Sequence, residues 1–191
     1  MFIASSPGRL DVMGGIADYS GALVLQMPLK EHTTVRLVPR NDLMFLIHSN
    51  DQHCKIDFSD LITTQSELTY EFAKRYFKNN PDHHWVSYVV GCVLVLQKEK
   101  GIVPTGFEIS IDSDVPIGKG VSSSAALEVA TMKALAVYYN LSFEGTELPI
   151  LAQKVENLIV GAPCGLMDQL ASYFGKPNQL LPILCQPDVL S

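Results

Sequence analysis

No stretch of this 191-residue sequence offers the ~20 consecutive apolar residues that a membrane-spanning helix requires. The most apolar run, Val86 to Leu96, is too short for that and reads as a core helix. Cations are few: 14 Lys and Arg stand against 20 Asp and Glu, for a net charge of −6, and none of the 14 are clustered. A nucleic-acid or anionic-membrane partner would need such a patch, so neither is expected and any phosphate site has to be local. The four cysteines, Cys54, Cys92, Cys164 and Cys185, contain no Cys-x-x-Cys pair, so no zinc site or redox dithiol is signalled. The five histidines lack the i, i+4 spacing of a helical metal site and read as surface or cap residues. The first residues carry neither the basic n-region nor the apolar h-region of a signal peptide, which favours a cytoplasmic protein with reduced thiols. Repeats and low-complexity segments are also missing.

What is present is core material. Apolar residues make up 47% and charged residues 18% of the chain, enough for one well-buried domain over residues 1–191. Phe2 to Ser5 reads as a short strand, followed by a glycine-broken loop from Ser6 to Gly21 and a return strand from Val24 to Leu29. Thr33 to Val38 and Leu43 to Ile47 alternate as strands around Pro39-Arg40-Asn41-Asp42. Ser66 to Asn79 is an amphipathic helix closed by Pro81. Gly106 to Asp112 alternates Phe107, Ile109 and Ile111 toward a core. Thr146 caps a helix with the stripe Leu151, Val155, Leu158 and Ile159, Glu156 lying at its edge. Tyr173 to Gly175 and Gln179 to Leu184 read as a hairpin around Lys176-Pro177-Asn178.

The segment that organises the chain runs from Asp114 to Ala130. Gly118 and Gly120 allow positive φ and close backbone approach. Ser122, Ser123 and Ser124 stand where a helix, Ser123 to Tyr139, begins and leaves N–H groups free. With few charges the helix is buried nearly all round, and its positive end suits an anion. By itself the loop reads equally well as a flexible turn before an N-capped helix. It is not a Walker A sequence, because Lys119 lies between the glycines.

The loop resembles the second motif of the GHMP kinases, Pro-x-Gly-x-Gly-x-x-Ser-Ser-Ala, through Pro116, Gly118, Gly120, Ser123, Ser124 and Ala125. Ser122 and Leu127-Glu128-Val129-Ala130 resemble its galactokinase version. Ser6 to Gly21 resembles the first motif of the sugar kinases, Pro-Gly-Arg-x-Asn-x-x-Gly-Glu-His-x-Asp-Tyr, at Pro7, Gly8, Arg9, Gly14, Asp18 and Tyr19, and departs from it at Gly15 and Ile16. Pro163-Cys164-Gly165-Leu166-Met167-Asp168-Gln169 resembles the galactokinase Pro-Cys-Gly-Ile-Met-Asp-Gln.

The resemblance implies an α+β fold, ribosomal protein S5 domain 2-like, with helices packed on a mixed sheet, and an ATP- and Mg²⁺-dependent sugar 1-kinase. ATP would be held by Pro116, Gly118, Lys119, Gly120, Val121, Ser122, Ser123, Ser124 and Ala125, its adenine by Trp85 and Tyr88, which as a bare i, i+3 pair would be core aromatics. Ser124 and Glu156 would hold Mg²⁺. Asp168 would be the catalytic base with Arg9 beside it; Arg9, Asp18, Gly15, Ile16 and Asp168 would face the sugar. Found singly, Arg9 would be a structural ion pair and Asp18 a turn residue.

Gly15 and Ile16 replace a carboxylate and an imidazole that hold the hexose near its hydroxymethyl end. An unpaired buried hydroxyl costs about 1–3 kcal/mol, so the site should favour a galactose-configured sugar without C6, L-arabinose, as in the plant-type arabinokinases that this motif resembles. The resemblance covers only the amino-terminal half of such a kinase, and the third glycine-rich motif of a carboxy-terminal domain does not follow Asp168. A non-catalytic sugar sensor and an inactive interaction fragment are the alternatives. On this reading Gly15→Glu combined with Ile16→His raises the ratio of kcat/KM for galactose to that for arabinose, as measured by coupled assay.

Overall fold

A computed structural model describes residues 1–15, 21–61 and 69–185. Ile16, Asp18 and Tyr19, and the first residues of the helix expected from Ser66, lie outside the described residues. The elements run β1 (Phe2–Met13), β2 (Leu23–Pro39), β3 (Met44–Ser49), β4 (Gln52–Asp57), α1 (Tyr70–Asn79), α2 (Ser87–Lys100), β5 (Phe107–Ser113), α3 (Ser123–Tyr139), α4 (Glu147–Lys154), α5 (Met167–Phe174) and β6 (Leu181–Leu184). The sheet order is β1-β2-β5-β3-β4, with β6 also paired to β2; the β3–β5 pair is parallel and the others antiparallel. This is the α+β arrangement with a mixed sheet that the sequence predicts.

The 17-residue β2 is the spine. β1 runs along one side of it, while its other side carries β6 against Leu23–Gln26 and β5 against Thr33–Pro39. The two short strands expected at Val24–Leu29 and Thr33–Val38 are therefore one strand. Pro28 is accommodated because the β1–β2 register shifts between Pro7 and Arg9, leaving residues 29–31 of β2 outside the regular pairing. β1 likewise continues to Met13 instead of stopping at Ser5. Its Gly8 serves close approach: a Cβ there would lie 2.8 Å from Val115 Cγ1 and 2.9 Å from the Val121 carbonyl oxygen.

Alternation along the sheet delivers Val35, Leu37, Phe45, Ile47, Phe107 and Ile109 to one core, shared with the inner faces of the helices. α3 lies on β1 and β2 with α5 beside it, and α2 packs on α3. From Val89 to Leu96 α2 is buried throughout, as a core helix should be, and it ends at Gly101 in the left-handed conformation. α1 starts at Tyr70, where the Thr69 hydroxyl accepts from the Phe72 N–H at 3.2 Å.

Three expectations are corrected. Thr146 occupies the N-cap position of α4 but makes no side-chain cap. After α4 the chain widens into a π-helical turn, Val155–Val160. The wider turn breaks the expected stripe: Val155 and Ile159 stay buried, Leu158 turns out to 39% exposure, and Glu156 turns in. Tyr173 belongs to α5, so the chain returns to the sheet from a helix and not through a hairpin. β4, not anticipated, pairs with β3 and sets His48 and His53 side by side at the exposed hairpin end.

Gly91 marks where α2 meets the π turn, since a Cβ there would lie 2.6 Å from Val155 Cγ1. Alanine gains about 1 kcal/mol of helix propensity over glycine, whereas overpacking costs about 1–3 kcal/mol. Gly91→Ala is thus expected to lower stability by about 1 kcal/mol, read as a lower urea midpoint at unchanged m-value.

Candidate active site

The site grows from the loop between β5 and α3. Gly118 and Gly120 adopt φ of 71° and 69°, and Ser122 adopts 56°. Nothing lies within 4 Å of a Cβ built on either glycine. Positive φ with open space above is the backbone form that lets a ligand approach main-chain N–H groups. Pro116, Lys119 and both glycines are exposed, Ser123 and Ser124 half-buried at the start of α3, and Ala125 wholly buried beneath them. The Ser122 hydroxyl does not cap the helix and is buried without a hydrogen-bond partner among the described residues.

Beside the loop is a cleft of about 190 Å³ whose walls include Trp85, Tyr88, Ile111, Ile117, Ser123 and Ser124. Trp85 lies in a 3₁₀ turn, Pro81–Val86, and Tyr88 in the first turn of α2, and the two aromatics line one cavity. Burial, with the nearby Glu156 and Glu128 carboxylates, pushes the Tyr88 phenol up to about 12.

Arg9 holds the other side of the loop. Its backbone N–H donates to the Val121 carbonyl at 3.0 Å and its Nη1 to the Gly120 carbonyl at 2.8 Å. Nε and Nη2 both donate to Asp168 Oδ1, at 2.9 and 2.6 Å, which leaves Asp168 Oδ2 out of the ion pair. Asp168 stands in the first turn of α5. The Ser6 hydroxyl steadies that helix by donating to the Ser172 carbonyl at 2.5 Å. Arg9 and Asp168, 159 residues apart in sequence, are thus brought together as expected.

Glu156 is 9% exposed. Burial raises its pKa, opposed by hydrogen bonds from Ser124 and Cys164 and reinforced by the Asp168 charge. Ser124 and Glu156, expected to share a cation, are hydrogen-bonded neighbours. A hydroxyl and one carboxylate fit Mg²⁺, which takes oxygen ligands and keeps several for water and phosphate. No cluster of three or more His, Cys, Asp or Glu able to hold a metal occurs among the described residues, so the donor set does not suit a fully protein-caged ion.

Sequence reasoning missed the groups around Glu156. Gln169 Nε2 donates to Glu156 Oε2 at 2.9 Å and to Glu128 Oε2 at 3.3 Å, bridging two buried carboxylates. Gln153 and Asn157 clamp the loop ahead of α5 through the Cys164 carbonyl and N–H. Asp11, opposite Gln26 on β2, was also passed over. The Asp-Gln pair that ends Pro163 to Gln169 signalled Gln169, and the aspartate where the first motif has asparagine signalled Asp11. Gly15 brings a correction. A Cβ added there would fall 2.9 Å from Asp11 Cγ and closer still to Oδ2, so Gly15→Glu cannot act as a simple replacement while Asp11 stays in place.

The family pattern described as "GHMP kinases N terminal domain" matches residues 87–176, and a galactokinase galactose-binding signature matches residues 1–38. The chain carries a GHMP kinase amino-terminal domain. This GHMP domain is 43% identical, over 98% of its length, to L-arabinokinase of Arabidopsis thaliana, of which it covers 21%. It is 36% identical, over 96% of its length, to galactokinase of Roseiflexus sp. (strain RS-1), covering 43% of that protein. The structure of Lactococcus lactis galactokinase complexed with galactose superposes with a TM-score of 0.79 at 28% identity, covering 96% of this chain and 44% of that one. The chain therefore spans less than half the length of these relatives. No helix among the described residues is long and apolar enough to cross a membrane.

The buried carboxylates give a pH prediction. Burial, with Glu156 nearby, raises Glu128 well above the usual carboxylate range. The folded state therefore holds a proton that the unfolded state gives up near pH 4.5, and stability falls as pH rises above that point. In Glu128→Gln this decline is expected to shrink, so the variant's Tm rises relative to the parent between pH 5 and 8; parallel Tm curves would contradict it.

Proposed function

We propose that the chain is the amino-terminal part of an ATP-dependent sugar 1-kinase, acting on the anomeric hydroxyl of a galactose-configured sugar. The observation that carries this reading is the Arg9–Asp168 pair beside an open, glycine-turned anion loop. Asp168 Oδ2, outside the ion pair, would accept the hydroxyl proton as the new O–P bond forms and the bond from the γ-phosphorus to ADP breaks. Arg9 aligns the carboxylate, and its cationic charge favours the developing alkoxide. The loop N–H groups and the start of α3 offer donors to phosphate oxygens. Trp85 and Tyr88 suit a flat base in the cleft. ATP would supply the transferred phosphoryl group, and Ser124 with Glu156 would hold the Mg²⁺ that offsets its charge.

L-arabinose is the preferred sugar on this reading. Gly15 removes a polar partner for a C6 hydroxyl, and the Arabidopsis L-arabinokinase identity points the same way. A further, carboxy-terminal domain would complete the site. The sheet face opposite Arg9 fits such a neighbour, because Leu10, Val12, Met27 and Leu184 stand exposed there together. An assembled kinase would exclude water from the cleft, so residues 1–191 alone should turn over poorly. The sensor reading keeps the fold but leaves the Asp168 geometry without a purpose.

Asp168→Asn tests the base. In the complete protein the variant is expected to lose about 10²-fold or more in kcat while calorimetry shows arabinose binding retained. Near-parental turnover would sink the assignment.

A further inference from the structure

One carboxylate near Arg9 has no task in phosphoryl transfer. Asp11 lies two residues beyond Arg9 on β1, where the strands stay in register, Arg9 opposite Pro28 and Asp11 opposite Gln26. Strand alternation puts Arg9 and Asp11 on the same sheet face, about 7 Å apart along the chain. Gln26 is wholly buried, and its Nε2 donates to Asp11 Oδ1 at 2.8 Å. An ionised carboxylate can only accept, so this contact fixes which end of the amide faces Asp11. Gln26 Oε1 is then left buried without a partner among the described residues. An arrangement that leaves an acceptor unpaired is disfavoured unless the remaining contact has a use.

The second oxygen, Oδ2, leans over Gly15. A Cβ at position 15 would collide with it, so a side chain there and Asp11 in this orientation exclude each other. The glycine leaves room and the aspartate fills it. Asp11 is exposed, which leaves its carboxylate open to a ligand.

We infer that Asp11 is a specificity-determining residue of the sugar site, its carboxylate aimed by Gln26 and given space by Gly15 to accept hydrogen bonds from sugar hydroxyls. The inference rests on the sugar-kinase reading above. It also narrows the substrate class. Among the described residues Asp11 and Asp168 stand against one cation, Arg9, so the sugar end carries net negative charge there. Neutral polyhydroxylated sugars are favoured there, and uronic acids and sugar phosphates are repelled.

The test uses the full-length protein that carries this chain, with Asp11→Asn and Gly15→Ala beside the parent. Calorimetric Kd values are measured for L-arabinose and D-galacturonate, together with KM for Mg-ATP and kcat. Both variants are expected to weaken arabinose binding about tenfold or more, with KM for Mg-ATP moving less than twofold and kcat less than threefold. Asp11→Asn also narrows the gap between arabinose and galacturonate. An unchanged arabinose Kd in variants whose unfolding midpoints show them folded would overturn the inference, as would an equal loss of ATP affinity. If the parent binds sugar but transfers no phosphate, the kinase reading fails while the Kd comparison still decides on Asp11. If the parent binds no sugar at all, the role given to Asp11 falls.

Discussion

The Arg9 guanidinium is the joint on which the site depends. One side chain reaches the Gly120 carbonyl of the glycine loop and the Asp168 carboxylate of α5, while its own backbone N–H holds Val121. Three elements distant in sequence are thereby registered against one planar group with fixed donor directions. Lysine could not substitute, since a single ammonium on a flexible stem lacks the fork that satisfies two differently placed acceptors. The ion pair is only partly exposed, at 10% and 26% of the two side chains, so each charge relies on the other more than a surface pair would.

Around that joint the fold is arranged to allow close approach. Gly8 brings β1 under the loop, Gly91 brings α2 onto the π turn, and Gly15 leaves space for the Asp11 carboxylate. The long β2 strand makes this possible by pairing with β5 at one end and β6 at the other. The site end of the sheet can thus carry bulges on β1 while the opposite end stays regular and buries the main core.

How much of this was legible depended on the range of the interaction. α3 was readable from Ser123 to Tyr139 because its apolar run and preceding glycines are local signals, and α2 and β5 followed from composition and alternation in the same way. The extension of β1 through Gly8 and Arg9 was not, because glycines that signal a turn locally serve here as points of contact with a loop more than a hundred residues away. The end of α5 read as one arm of a hairpin, Tyr173 to Gly175, since Tyr and Phe have strand propensity, which packing of α5 against β1 and α3 overrides. Arg9 and Asp168 came into view through motifs that each name one partner. The Glu128–Gln169–Glu156 bridge joins three elements through side chains that are unremarkable one at a time, and no local pattern marks it. Asp11 was passed over because aspartate and asparagine are alike in shape, although the exchange, the one signal available, turns a donor and acceptor into a pure acceptor.

The π turn at Val155–Val160 makes the site unequally sensitive to different kinds of change. A substitution within the turn alters a contact. Losing one residue would return the turn to α geometry and change which of its side chains face inward, where Glu156 meets Ser124 and Asn157 clamps the segment that delivers Asp168. Length at this turn therefore sets which side chains point toward Ser124 and Cys164, whereas a substitution in it changes one contact at a time.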